Sequence, residues 1–187
     1  MPNHRKQKDS TAGGGSLSRR VKELLGRHGL AARKGLAQHF LIDPEALAAS
    51  VRAAELAPGE TVVEVGPGLG TLTEALLQAA GEVIAVEIDP GMTSLLRERL
   101  GHRPNLRLVC GDILSLKPED LLDPHVEYKV VANLPYYAAA AIVRRFLEAG
   151  HKPRLMVVMV QKEVAVKMAA SPGEMSLLSL AIQAYGR

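Results

Sequence analysis

The chain has 187 residues, 47% hydrophobic and 23% charged, with a single cysteine and a formal net charge of +3, a length suited to one domain around one core. It contains no run of eighteen apolar residues to cross a bilayer and no apolar segment near its start that reads as a secretory signal. Its six histidines and one cysteine form no cluster with metal-ligand spacing, so the composition points to a cytoplasmic protein with neither a membrane partner nor a metal.

Charge is distributed unevenly. Residues 1–34 carry nine Lys and Arg against Asp9 and Glu23, whereas the remaining fourteen Lys and Arg face eighteen Asp and Glu. The first segment also contains Gly13-Gly14-Gly15-Ser16 and almost no large apolar side chains before Leu17, too little to fold alone. Residues 1–33 are therefore expected to be a basic, largely disordered arm and residues 34–187 a folded domain. The arm is open to two readings: a solvated tail, or a segment that meets the phosphates of a nucleic acid.

Asp43-Pro44-Glu45 opens a helix, with an Asp cap, Pro at the first helical position and an acid in the first turn; it is expected to run to about Leu56. Thr61–Val65 reads as a strand, followed by a glycine loop and a helix over about 71–80. Residues 83–86 form a second strand and 90–100 a helix; Leu106–Cys110 is a third strand and 128–132 a fourth. Helix is expected at 138–149, a fifth strand at 155–160, and mostly helix over 162–169 and 177–185. Continuous apolar strands separated by helices predict an α/β fold, a doubly wound, mostly parallel sheet covered on both faces. Cys110 ends one of these apolar runs and is expected to be a small buried hydrophobe in reducing surroundings.

In such sheets ligands bind beyond the carboxyl ends of the strands, and four ends carry unusual residues. The first is Glu64-Val65-Gly66-Pro67-Gly68-Leu69-Gly70, whose glycines allow a tight turn and close approach of a ligand to backbone and helix N-terminus. Its G-x-G-x-G spacing departs from the dinucleotide fingerprint and suits S-adenosylmethionine better than NAD. The second end is Glu87-Ile88-Asp89, where Glu87 suits a ribose diol and Asp89, before Pro90, suits a helix cap. The third is Gly111-Asp112, with an acceptor for an exocyclic adenine N–H.

The fourth end, Asn133-Leu134-Pro135-Tyr136, is the most specific. The lone pair of adenine N6 is delocalised into the ring, so methylating it is difficult. Two acceptors on the amino hydrogens, the Asn133 side-chain oxygen and a main-chain carbonyl beside Pro135, would favour a pyramidal and more nucleophilic nitrogen. Tyr136 could stack on the base and hold it toward a methyl donor. The structural alternative is an Asx-type turn in which Pro135 ends the strand.

These motifs, with Lys34-Gly35-Leu36-Ala37-Gln38-His39-Phe40-Leu41 and Val160-Gln161-Lys162-Glu163-Val164-Ala165, resemble the bacterial small-subunit ribosomal RNA adenine N6,N6-dimethyltransferases. The resemblance implies a Rossmann-like class I methyltransferase fold, S-adenosylmethionine as methyl donor with S-adenosylhomocysteine as product, and no metal. It implies ribosomal RNA within the small subunit as partner, and a monomer. Cofactor-binding residues on this basis are His39, Leu41, Gly66, Glu87, Asp112 and Asn133, with Asn133 and Tyr136 catalytic. Ala37 stands where the family usually has Gly. The run Tyr137-Ala138-Ala139-Ala140-Ala141 lacks the usual hydroxyl and Pro residues, so a continuous helix is expected there. The family continues with a hairpin that completes a seven-stranded sheet and with a small helical domain. Both are expected to be absent from this chain, which leaves the fifth strand an apolar edge.

Two other functions compete: a large-subunit ribosomal RNA adenine dimethyltransferase, or a non-catalytic RNA-binding or ribosome-assembly factor that keeps the cofactor fold. A nicotinamide oxidoreductase fits less well, because the glycine spacing is wrong and no acid/base pair accompanies it.

Overall fold

The computed structural model describes residues 43–185, together with Gly26 alone. Apart from Gly26, the basic arm and residues 34–41, with Ala37, His39 and Leu41, lie outside the described residues. The first described helix, α1 (Pro44–Ala53), begins as its signal requires: the Asp43 carboxylate accepts the Glu45 N–H at 3.0 Å, and Pro44 takes a position that needs no donor. It ends at Ala53 rather than near Leu56, because Glu55 turns left-handed at φ 46°.

The elements that follow are β1 (Thr61–Val65), α2 (Thr71–Ala79), β2 (Glu82–Glu87), α3 (Pro90–Leu100), β3 (Leu106–Cys110), α4 (Pro118–Leu121) and β4 (Tyr128–Asn133). After these come α5 (Ala139–Leu147), β5 (Leu155–Met159), α6 (Lys162–Met168) and α7 (Leu177–Tyr185). Only α4 has no counterpart in the sequence reading. It is a single turn held by Pro118 and by the Asp120 carboxylate, which accepts the Lys117 N–H at 2.8 Å. The Ala-rich run is a turn over 136–138 before α5 starts, with the Ala138 and Ala139 N–H groups both donating to the Pro135 carbonyl.

The five strands are all parallel, in the order β3-β2-β1-β4-β5. On one face Val62, Val83 and Val131 pack against Leu72, Leu76, Leu96 and Leu100 of α2 and α3. On the other, Val63, Val65, Ile84, Val86, Val130 and Ala132 pack against Ile142, Val143 and Phe146 of α5. Burial on both faces explains why these strands read as unbroken apolar runs. The order reverses between β1 and β4, so the loops after those strands diverge and open a crevice at their carboxyl ends. No helix among the described residues is long and apolar enough to cross a membrane.

Both edges matter. Along β5 every residue is half-buried, with Val157 and Met159 toward one core and Met156 and Val158 toward the other. At the opposite edge Cys110 is exposed, which corrects the expectation of a buried thiol. An apolar run does not reveal that, among the described residues, its strand pairs on one side only, and Cys110 is the last residue of such a strand.

The glycine loop is held by sterics as well as by dihedral angles. Gly70, the N-cap of α2, has φ 80°, and a Cβ there would lie 2.7 Å from Leu96 Cδ2 and 2.9 Å from Leu100 Cδ1. Gly70→Ala is therefore expected to cost about 1–3 kcal/mol of unfolding free energy, from left-handed strain plus overpacking against α3. Urea unfolding measures this; an unchanged midpoint would mean that the loop relaxes without cost.

Candidate active site

β1 delivers the chain into the glycine loop at Gly66, which has φ 68° and whose N–H donates to the Val86 carbonyl at 2.9 Å. Glycine is required here by that dihedral. The space beside it is open: a methyl group on its Cα would meet no heavy atom within 4 Å.

Glu87 closes β2 and is only 5% exposed. Its Oε2 accepts the Gly68 N–H at 3.0 Å and its Oε1 the Asp89 N–H at 3.0 Å. One carboxylate thus ties the glycine loop to the end of β2 and keeps lone pairs for a ligand. Burial raises its pKa; the N–H groups of Asp89 and Gly68 pull it back, and the Asp89 charge adds to the rise. Asp89 is the cap of α3, accepting the Gly91 and Met92 N–H groups at 2.7 and 3.3 Å, in keeping with the helix-cap reading.

Asp112 follows β3 and is half-buried. Its Oδ1 accepts the Leu114 N–H at 2.9 Å, while the preceding Gly111 N–H donates to the Glu87 carbonyl at 2.8 Å. Asn133 ends β4 and is likewise half-buried, in register with Met159 of β5. The Leu134 N–H donates to the Met159 carbonyl at 3.0 Å, extending the β4–β5 pairing one residue past the strand. Tyr136 is 59% exposed on the turn that follows. Gly66, Glu87, Asp112, Asn133 and Tyr136 therefore all stand at one end of the sheet, on the loops or last residues of adjacent parallel strands.

Several contributors escaped the sequence reading. A pocket of about 240 Å³ is lined by Asn133, Leu134, Tyr136, Val160 and Gln161. Val160 and Gln161 were legible only as part of a family-specific motif; β4–β5 register brings them beside Asn133. Ile88 and Leu114 expose large apolar side chains directly after Glu87 and two residues after Asp112. Glu64, the fourth residue of β1, is 1% exposed, and neither of its carboxyl oxygens has a hydrogen-bond partner among the described residues. Burial pushes its pKa up to about 8; the nearby Thr73 hydroxyl opposes the rise without reaching hydrogen-bond geometry, and the Glu87 charge adds to it.

A cofactor with a nucleoside and a flexible charged end fits this arrangement. Glu87 and Asp112 offer acceptors, Ile88 and Leu114 offer apolar faces, and the open space at Gly66 admits the ligand against backbone.

A dimethyladenosine transferase from Plasmodium falciparum superposes with a TM-score of 0.66 at 28% identity, over 78% of this chain and 52% of that one. The 23S rRNA methyltransferase ErmE superposes with a TM-score of 0.65 at 36% identity, over 76% and 56%. The fold and the polar strand ends thus define a Rossmann-like methyltransferase domain of class I. Residues 29–186 match the family described as ribosomal RNA adenine dimethylase, and the chain belongs to that family. The ribosomal RNA small subunit methyltransferase A of Dehalococcoides mccartyi is 53% identical over 171 residues, 91% of this chain and 59% of that protein. Its counterpart from Moorella thermoacetica is 42% identical over 176 residues, 89% and 61%. The chain spans about three-fifths of the length of these curated relatives.

Proposed function

We propose that the chain transfers methyl groups from S-adenosylmethionine to adenine N6 in small-subunit (16S) ribosomal RNA, giving N6,N6-dimethyladenosine during ribosome biogenesis. The observation that carries this reading is the pocket formed jointly by Asn133, Leu134, Tyr136, Val160 and Gln161, at the same end of the sheet as Gly66, Glu87 and Asp112. The small subunit is favoured over the large because the relatives with the higher identity are small-subunit enzymes by name.

When bound, S-adenosylmethionine supplies an electrophilic methyl group on a sulfonium centre. Glu87 accepts hydrogen bonds from the ribose hydroxyls and Asp112 from the adenine amine, with Ile88 and Leu114 against the apolar surface of the base. His39 and Leu41 are assigned to the methionine side by family resemblance. On the substrate side, the Asn133 Oδ1 accepts one hydrogen of the target amine. The Pro135 carbonyl is already taken by Ala138 and Ala139, so the main-chain acceptor for the other hydrogen is that of Leu134. Tyr136, exposed on its turn, stacks on the base and fixes its angle of approach. The amine loses its proton to water after alkylation, so no strong base is required. A paired, stacked N6 cannot enter such a pocket, and the target adenine is therefore single-stranded or flipped out.

Equilibrium binding tests the cofactor half of this proposal. The chain should bind S-adenosylmethionine and not NAD, and Glu87→Ala should remove most of that affinity, because it takes away the ribose acceptor and frees the glycine loop together. Equal binding of both nucleotides, or no loss in the variant, would contradict it.

The basic arm is assigned to RNA phosphates. Removing residues 1–20, which hold Arg5, Lys6, Lys8, Arg19 and Arg20, should weaken RNA binding mainly at low salt. The slope of log K against log salt should fall by about 0.7 for each phosphate that is no longer neutralised. Identical slopes with and without the arm would return it to the status of a solvated tail.

A further inference from the structure

Glu64 is out of keeping with its surroundings. Strand register places it in a row with Ala85 of β2, Leu108 of β3, Val131 of β4 and Val157 of β5, an otherwise apolar layer of the sheet. Side chains alternate along a strand, so this row shares its face with Glu87 and Asn133, each two residues farther toward the carboxyl ends. Glu64 lies on β1, the strand between β2 and β4. It is therefore the floor of the site, one layer below and between the two polar residues that flank it. The next residue of β1 on that face would be Gly66, which carries no side chain and has open space beside it. The Glu64 carboxyl is buried, without a hydrogen-bond partner among the described residues, one same-face position below the open space at Gly66.

Among the described residues, the ionisable groups on the surrounding elements do not supply a countercharge. Glu87 of β2 is of like sign. Lys129 of β4, one same-face layer below, has its ammonium on Glu60 at 2.8 Å and on the Glu55 carbonyl at 2.7 Å. Glu74 of α2 is paired with Arg99 of α3, and Arg52 of α1 is exposed. A buried carboxyl in such a setting is neutral until a cation arrives from outside.

We propose that Glu64 is a proton-exchanging floor of the cofactor site: its carboxyl is protonated in the free protein and releases that proton to solvent when a cationic ligand settles between Glu87 and Asn133. The inference rests on the reading of this site as one for S-adenosylmethionine, whose sulfonium and ammonium groups are the cations in question. The carboxylate left behind faces that positive charge, and the only bond broken is the carboxyl O–H. Burial holds the Glu64 pKa near 8 in the free protein, so the group is protonated at pH 6.5. An ordinary α-amino group, with a pKa of roughly 7.7–8.0, is already charged at that pH, so the ligand contributes no proton of its own.

The test is calorimetric titration of the full chain with S-adenosylmethionine at pH 6.5, in phosphate and in an amine buffer of high ionisation enthalpy. The difference in heats counts protons. Release should approach one proton per site in the wild-type chain and fall by nearly that amount in Glu64→Gln. Difference infrared spectra of the wild-type chain give a second reading that needs no variant: a protonated-carboxyl stretch should disappear when the ligand is added. Binding with no proton release and no loss of that band would overturn the inference while leaving the cofactor site intact. Absence of binding in the wild-type chain would overturn the site reading and the inference with it.

Discussion

Asn133→Ala is expected to lower methyl transfer by about two to three orders of magnitude, on the scale of removing one preorganised hydrogen-bonding group from a transition state. The same change should weaken S-adenosylmethionine binding by only about fivefold, the net worth of one hydrogen bond. Asn133 ends β4, half-buried, in the lining of the pocket that it shares with Tyr136 and Gln161. Its backbone belongs to the strand and is positioned by pairing with β5, whereas the proposed chemistry belongs to its side chain. Truncating that side chain leaves the N6 amine with one acceptor instead of two, so its lone pair stays conjugated with the ring. Single-turnover rates and equilibrium binding separate the two effects. A rate within tenfold of wild type would remove Asn133 from the chemistry, and a loss confined to binding would make it a cofactor ligand only.

The second large effect is on stability. Glu64 has an ordinary pKa of 4.5 when unfolded and one near 8 in the folded chain, so the folded state holds more protons between those values. Its contribution to stability is therefore fully present below about pH 4.5 and is lost as pH rises toward 8, at up to about 1.4 kcal/mol per pH unit. Without cofactor, the chain should be less stable at pH 8.5 than at pH 6 by a few kcal/mol on this account. Glu87, raised in the same direction, adds to the trend. In Glu64→Gln most of the dependence should disappear, and the variant should exceed wild type in stability at pH 8.5. Urea unfolding at the two pH values gives both numbers; parallel pH dependence in the two proteins would show that Glu64 is solvated or paired in solution.

Much of this was legible in the sequence because the strands are covered on both faces. Thr61–Val65, residues 83–86 and 128–132 carry nearly continuous apolar runs; the first leads into the glycine loop, and the other two end at Glu87 and Asn133, polar residues that have no place in a core. The spacing of Gly66, Gly68 and Gly70 and the Asn-Leu-Pro-Tyr run then narrowed the ligand and the reaction class. Neighbour relations were not legible. Whether Cys110 is buried depends on β3 having one neighbour, and whether Gln161 meets Asn133 depends on β4–β5 register. Glu64 could have been found: an acid in the middle of a strand whose flanking residues are all apolar must be buried if that strand is central. Its place within a glycine motif drew attention to the loop instead. For His39 and Leu41 the assignment still stands on family resemblance alone, since both lie outside the described residues.

The proposed activity is methylation of adenine N6 in small-subunit ribosomal RNA. The direct measurement incubates the chain with labelled S-adenosylmethionine and small ribosomal subunits that lack the modification, then identifies the product nucleoside by mass spectrometry. The predicted product is N6,N6-dimethyladenosine, formed by the wild-type chain and lost in Asn133→Ala. Label transferred to another nucleoside, or none transferred by a chain that binds the cofactor, would contradict it.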